Sequence, residues 1–408
     1  MTIPTLAEFE DAAAVLDGVI TRTPFDVSEH LSDLLGQPVY LKLENLQRTG
    51  SFKIRGATYR LSRLTAEERV RGVVAASAGN HAQGVALAAQ KLGIAATIFM
   101  PLGVPVPKLL ATRGYGAEVV LEGATVETPL RLAAEFAERT GAVLIHPFDH
   151  RDVIVGQGTL GLEVYDGLPE VDTVIVGIGG GGLIAGVAAA VRARAALDGR
   201  TVRIIGVQAE NSAAYPSSLA AGEPLEVATT PTIADGIAVA RPGDVPFAVI
   251  RELVDEVVTV TDDDIARALL VLLERAKQVV EPAGAVGVAA ILAGKVTATG
   301  PTAVILSGGN IDPLLLQRVV SHGLAASGRY MTLQIPLPDR PGQLARVSEL
   351  LSIAGANVIE VLHTRHGQGL QISEVILQLS VETRGSEHRA HVISVLEDAG
   401  FSPRIALD

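Results

Sequence analysis

Val171-Asp172-Thr173-Val174-Ile175-Val176-Gly177-Ile178-Gly179-Gly180-Gly181-Gly182-Leu183 changes character twice within one short stretch. The apolar, β-branched run from Val171 to Val176 reads as a buried strand, and the alanine-rich sequence after Leu183 reads as a helix. Between them the glycines remove Cβ atoms, so successive amides can approach an anion while the helix dipole favours negative charge. That combination makes a phosphate cradle. Gly177-Ile178-Gly179-Gly180-Gly181-Gly182 also satisfies the dinucleotide pattern G-x-G-x-x-G between strand and helix, and a merely flexible turn would have the same composition. By itself the motif leaves a dinucleotide, another phosphorylated cofactor and a plain turn open.

Outward from this stretch the same rhythm repeats. Gly72 to Ser77, Ile94 to Met100, Ala117 to Leu121, Val202 to Val207 and Pro301 to Leu306 read as further strands, with helical patterns in the gaps. Such alternation predicts an α/β fold of mostly parallel, twisted sheets covered by helices on both faces. In these folds ligands bind beyond the carboxyl ends of strands, near topological switch points. The strand ending at Ser77 leads into Ala78-Gly79-Asn80 and a helix, and the strand ending at Leu306 leads into Ser307-Gly308-Gly309. With the glycine run, three strand ends converge on one ligand.

A chain of 408 residues allows two or three compact units with sizeable cores. Hydrophobic residues make up 48%, yet no apolar run reaches the roughly eighteen residues of a membrane span, so no membrane association is expected. Lys and Arg number 33 against 45 Asp and Glu, and the net charge of −12 opposes nonspecific binding to nucleic acid or anionic lipid. Aromatic residues amount to 3% with no tryptophan, so stacking surfaces for bases are scarce. These features point to small-molecule chemistry. The absence of cysteine excludes disulfides, thiolate catalysis and cysteine-ligated metal, and is compatible with any redox compartment. Met1 to Gly18 lacks a basic region followed by an apolar core and a small-residue cleavage site, so a cytoplasmic protein is expected.

In Leu43-Glu44-Asn45-Leu46-Gln47-Arg48-Thr49-Gly50-Ser51-Phe52-Lys53-Ile54-Arg55-Gly56-Ala57, one lysine follows a turn and opens a helical pattern. On the first turn of a helix Lys53 meets the positive end of the dipole, which favours the free amine that can attack a carbonyl. A lone lysine would otherwise be a solvated surface residue. Its neighbours decide.

The segment Thr49 to Ala57 resembles the lysine motif of the fold-type II pyridoxal-phosphate enzymes, a family that includes threonine and serine dehydratases, serine racemase, cysteine synthase and threonine synthase. Its wording is closest to the dehydratase branch. Ser77-Ala78-Gly79-Asn80-His81-Ala82-Gln83-Gly84, Gly179 to Leu183 and Ser307-Gly308-Gly309-Asn310 resemble that branch's other cofactor motifs, in the same order. The resemblance covers about residues 5 to 325 and implies pyridoxal 5′-phosphate as cofactor. It also implies a catalytic domain, 1–325, of two α/β subdomains, the smaller at about 54–155 inserted in the larger.

The same resemblance makes Lys53 the Schiff-base lysine and catalytic base, and Gly179, Gly180, Gly181, Gly182 and Leu183 the phosphate site. Asn80 would bond the ring 3′-hydroxyl, Phe52 would pack beneath the ring, Ser51 would support the phosphate, and Ser307 would meet the pyridine nitrogen. Serine there leaves the ring a weaker electron sink than aspartate would, which suits β-elimination. Ser77, Ala78, Gly79 and His81 would supply backbone amides for the substrate carboxylate, and Gly236 and Glu281 match segments around the site. Without the resemblance, Asn80 and Ser307 read as helix caps, Phe52 as core, Gly236 as a turn and Glu281 as a helix-capping acid. His81 reads as structural or solvated, with no catalytic role.

The implied activity is β-elimination and deamination of L-threonine, and of L-serine, to 2-oxobutanoate or pyruvate and ammonia, a carbon–nitrogen lyase reaction. Lys53 would remove the Cα proton, the β-hydroxyl would leave with a proton, and the released enamine would hydrolyse. A serine-preferring dehydratase or another β-lyase would use the same apparatus. Racemase relatives place a second catalytic serine just before the loop glycine, where this chain has Ala78, so poor racemisation is expected. Metal-dependent relatives carry carboxylates after the equivalent of the Val202 to Val207 strand, where this chain has Gln208 and Ala214 with Glu210 nearby. No divalent metal is expected.

From Tyr330 the composition becomes more β-like. Strand Tyr330 to Leu337, helix Gln343 to Ala354, strands Asn357 to Arg365 and Ile372 to Glu382, helix His388 to Ala399 and strand Ser402 to Leu407 make a ferredoxin-like βαββαβ unit, 330–408. A short linker, 326–329, precedes it. Asp339-Arg340-Pro341-Gly342-Gln343-Leu344 resembles the signature turn of ACT regulatory domains. That implies an allosteric amino-acid effector, isoleucine or valine, held between copies of a homodimer or homotetramer, and a place in isoleucine biosynthesis. A tail that only mediates assembly is the plainer reading. A non-catalytic amino-acid sensor is the opposing class, and intact Lys53, Asn80 and Ser307 argue against it.

Overall fold

The computed structural model describes residues 2–125, 127–326, 328–365 and 373–406, and the chain divides into two compact units, Met1–Pro313 and Leu314–Asp408. The first is built on two sheets. Six strands form the larger, in the spatial order Phe25–Val27, Val39–Lys42, Thr302–Ile305, Thr173–Gly177, Arg203–Ala209 and Glu256–Val260, all parallel except the first pair. The smaller is wholly parallel, in the order Glu118–Leu121, Ala96–Met100, Val73–Ala76 and Val143–Leu144. Its strands all come from one continuous stretch, 73–144, after which the chain returns to the larger sheet.

The strands expected from β-branched runs lie within one or two residues of their expected bounds. Four others carry little sequence signal. Phe25–Val27, Val39–Lys42 and Val143–Leu144 are too short for periodicity to speak, and Glu256–Val260 is a half-buried edge without the clean alternation of a one-sided sheet. Valine and isoleucine fill the larger sheet's centre because helices cover both faces: Val174, Ile175 and Val176 are fully buried.

One polar cluster is buried with this core. Arg55 pairs with Glu44 at 2.8 Å and Glu163 at 2.7 Å, and Lys42 pairs with Glu163 at 2.7 Å. Two cations and two anions balance, and the cluster ties the helix Lys53–Ser62 to the strand Val39–Lys42 and the helix Arg151–Gly167. It thereby fixes the end of the helix that carries Lys53.

In the second unit the antiparallel order is Asn357–Thr364, Glu374–Glu382, Tyr330–Pro338 and Arg404–Ile405, with helices Gln343–Ile353 and Ser386–Asp398. Connectivity and order are those of a ferredoxin-like βαββαβ unit. Leu333, Ile335, Leu377, Leu379, Val347 and Leu396 form its core. The helix Pro313–Ala326, ahead of the expected linker, falls almost wholly in this unit. Ser327 of that linker, and the expected strand residues Ile372 and Leu407, lie outside the described residues. Among the described residues no helix is long and apolar enough to cross a membrane.

Candidate active site

The lysine segment and the Ser307 turn are joined by backbone. Ser51 bridges Gly308, Phe52 N donates to Ser307 O at 3.1 Å, and Gly309 N donates to Gly50 O at 2.8 Å. Just upstream, Thr49 is held at φ +65°, a left-handed conformation costly for threonine, and Asn310 Nδ2 donates to its carbonyl at 2.6 Å. Lys53 then opens its helix with Nζ donating to Pro147 O at 3.1 Å and 5.1 Å from the centre of the Phe52 ring. The residue as a whole is half-buried, while its amine is enclosed by protein. Burial pushes the Lys53 amine down to about 8, against the opposing charge of Glu281. The depressed amine expected from the helix dipole is present, with burial as its cause.

Asn80 begins the helix Asn80–Leu92 after the smaller sheet's strand Val73–Ala76. Its Nδ2 donates to Glu281 Oε1 at 2.6 Å, and its Oδ1 accepts from Asn310 Nδ2 at 2.9 Å. Burial pushes the Glu281 carboxyl up to about 7, while Lys108 pulls the other way. Gly236 borders the same place: a Cβ there would lie 3.9 Å from Glu281 Oε1.

Gly179 to Gly182 end the strand Thr173–Gly177 and start the helix Gly182–Leu197, with Gly181 at φ +100°. Ala185 N already donates to Gly181 O, but none of the surrounding turn bonds takes the amides of Gly179 to Leu183. The loop is tightly backed. A Cβ on Gly180 would meet the Phe148 ring at 2.4 Å, and one on Gly181 would meet Tyr215 Oη at 2.0 Å. Tyr215 also donates to Gly180 O at 3.1 Å. Leu183 is buried behind the turn.

Ser77 Oγ accepts from Gly79 N at 3.1 Å, which bends the Ser77-Ala78-Gly79 turn toward the helix start. His81 turns inward, its Nε2–H donating to Ile145 O at 2.8 Å, and burial pushes it down to about 3. The ring is therefore neutral and structural. Gln208 accepts from Tyr215 N at 2.8 Å and donates to Ile178 O at 3.4 Å. Among the described residues no cluster of His, Asp or Glu could hold a metal ion.

The sequence pattern does not reveal Pro147, Phe148, Tyr215, Lys108 or Asp235. Pro147 and Phe148 follow the two-residue strand Val143–Leu144, and its strand-end position is the only signal that could have found them.

The family model for pyridoxal-phosphate dependent enzymes matches residues 16–308. The chain is 46% identical over 402 residues to the L-threonine ammonia-lyase of Thermotoga maritima, covering 98% of this chain and 99% of that protein. It is 48% identical over 383 residues to the L-threonine ammonia-lyase of Geobacter sulfurreducens, covering 94% of each. The solved structure of the processed form of threonine deaminase isoform 2 from Solanum lycopersicum aligns with a TM-score of 0.72 at 38% identity, over 78% of this chain and 93% of that one. The chain belongs to the pyridoxal-phosphate-dependent enzyme family. Its cofactor is pyridoxal phosphate, and its own site fits that group: among the described residues the Ser51 hydroxyl is buried without a partner, the Ser307 hydroxyl is engaged by no other residue, and no backbone bond takes the amides of Gly179 to Gly182.

Proposed function

We propose that the chain is an L-threonine ammonia-lyase that converts L-threonine to 2-oxobutanoate and ammonia, and L-serine to pyruvate and ammonia. The observation that carries this reading is the enclosed Lys53 amine, which donates to Pro147 O at 3.1 Å over the Phe52 ring and is pushed down to about 8 by burial. Bound pyridoxal phosphate supplies the electron sink that makes the substrate Cα–H acidic. Lys53 would hold it covalently, the amides of Gly179 to Leu183 its phosphate, Asn80 its ring oxygen and Ser307 its ring nitrogen, with Phe52 beneath.

Within the Ser77-Ala78-Gly79 turn, Ser77 N donates to Phe99 O and Gly79 N to Ser77 Oγ, both at 3.1 Å, so the amides of Ala78 and His81 would orient the substrate carboxylate, with Gly236 on the facing side. Lys53 Nζ, freed from its covalent bond, takes the Cα proton; at about 8 it is close enough to neutrality to accept a proton and give it up again. The same nitrogen can deliver the proton to the departing β-hydroxyl, so water leaves. Hydrolysis of the released enamine yields the 2-oxo acid and ammonia. Ala78 offers no acid or base for the opposite face, so racemisation is poor.

Residues 1–325 make the catalytic domain in this reading, with the smaller subdomain at about 54–155, and 330–408 an ACT unit. Support comes from Gly342, at φ +90° as the cap of helix Gln343–Ile353 within the Asp339 to Leu344 turn. Isoleucine or valine would bind there, between copies of a cytoplasmic homodimer or homotetramer serving isoleucine synthesis. The test is 2-oxo acid release from threonine and serine, with and without each effector, by wild type and Lys53→Ala. Activity on threonine that disappears in the variant is expected. A wild type, loaded with cofactor, that releases no 2-oxo acid from either substrate would overturn the reading.

A further inference from the structure

Lys108 stands on the helix Val106–Gly114, which follows the smaller sheet's strand Ala96–Met100. Its Nζ lies 3.6 Å from Oδ2 of Asp235, in the short turn Asp235–Ile237 between elements of the larger sheet. The pair is lopsided: the lysine side chain is 12% exposed and the aspartate 67%. The ammonium is thus tucked inward and its counter-ion sits at the solvent edge. The same Nζ is 3.8 Å from where a Cβ on Gly79 would be, against the turn that starts the helix Asn80–Leu92. Asp235 adjoins Gly236. The electrostatics agree, since the Glu281 carboxyl feels Lys108 and Asp235 in opposite senses.

A free amino acid arrives with a carboxylate that needs cations and amide donors together. Lys108 Nζ meets the Ser77-Ala78-Gly79 turn at Gly79, and among the described residues no backbone bond takes the amides of Ala78 and His81 on either side of it. An ion pair with so exposed a partner contributes about 1 kcal/mol or less, so an incoming carboxylate that also gains backbone amides can displace Asp235.

We infer that Lys108 recognises substrate: its ammonium leaves Asp235 and pairs with the α-carboxylate of the entering amino acid, Asp235 serving as the reversible counter-ion that keeps it in place. The inference rests on the amino-acid lyase reading above. Lys108→Met then raises KM for threonine roughly tenfold or more with kcat little changed, because a charge-assisted partner of bound substrate is lost. Lys108→Arg keeps most of the affinity. Asp235→Asn acts in the opposite direction, lowering KM roughly two- to fivefold by removing the competitor. A lysine that merely latched the cleft would make both variants bind more weakly.

The experiment is steady-state kinetics of the four holoenzymes on L-threonine at low and high salt, with L-alanine, which lacks a β-leaving group, titrated against the cofactor's absorption. Opposite KM shifts in Lys108→Met and Asp235→Asn, matched by the alanine affinities, are expected. An alanine affinity of Lys108→Met within about twofold of wild type, or one weakened alike in Lys108→Met and Asp235→Asn, overturns the inference. If Lys108→Met does not fold, Lys108→Arg and Asp235→Asn decide. A wild type that binds alanine but releases no 2-oxo acid removes the lyase reading instead, and leaves the carboxylate role standing.

Discussion

Asn80 and Glu281 join the two sheets of the first unit through one hydrogen bond of 2.6 Å, from the helix that follows the smaller sheet's strand Val73–Ala76 to the residue that caps the helix Pro282–Leu292. Asn310 holds the other end of the Asn80 amide, so its two polar atoms have fixed directions. The Lys53 amine is close enough to Glu281 for each to shift the other, and both titrate far from their ordinary values.

Stability should therefore change with pH in two windows. Glu281 sits at about 7 instead of 4.5, so between those values the folded chain keeps a proton that the unfolded chain has lost, and stability falls as pH rises. Lys53 sits at about 8 instead of 10.5, so there the unfolded chain keeps the extra proton and stability rises with pH. Buried His81, held down to about 3, contributes a rise that opposes the Glu281 fall up to its ordinary value near 6.5, so each group is read as a difference between variant and wild type. In urea unfolding of the cofactor-stripped protein, Glu281→Gln should gain stability relative to wild type as pH rises from about 4.5 to 7, and Lys53→Met should lose relative stability from about 8 to 10.5; differences that stay flat with pH would refute the assignments.

The glycine turn has no room for a methyl group. Gly180→Ala should drive a Cβ into the Phe148 ring and weaken cofactor binding by about 1–3 kcal/mol. Gly180→Ala combined with Phe148→Ala should recover part of that loss. Equilibrium dialysis of the cofactor measures both, and a double variant no better than the single one would mean that the ring is not the obstacle.

The buried ions around Arg55 make a different test. Glu44→Gln leaves the Arg55 guanidinium short of one full counter-charge in a fully buried site, and should cost about 3 kcal/mol or more in chemical denaturation. A change below about 0.5 kcal/mol would show that water or movement compensates the charge.

Legibility in the sequence followed local punctuation. The turns at Gly79, Gly179 to Gly182 and Ser307 each stand where a β-branched strand meets a helix, and such junctions are visible in one dimension. Phe148 stands at the same kind of junction, but its strand is two residues long and its turn has no glycine. Lys108 and Asp235 become a pair only when the two sheets face each other, a relation that no spacing encodes. His81 shows the converse: a histidine in a cofactor motif whose ring is committed to Ile145. In the tail, alternating apolar residues on strands such as Tyr330–Pro338 made the βαββαβ order readable, because one face packs on helices and the other does not.

Everything chemical depends on Lys53 carrying the cofactor. The most direct measurement is the visible absorption of the purified protein, followed by borohydride reduction and peptide mass mapping. A visible band is expected in wild type, with a cofactor mass fixed on the peptide containing Lys53, and neither in Lys53→Ala. A cofactor mass on another lysine, or an unchanged band in Lys53→Ala, would contradict it.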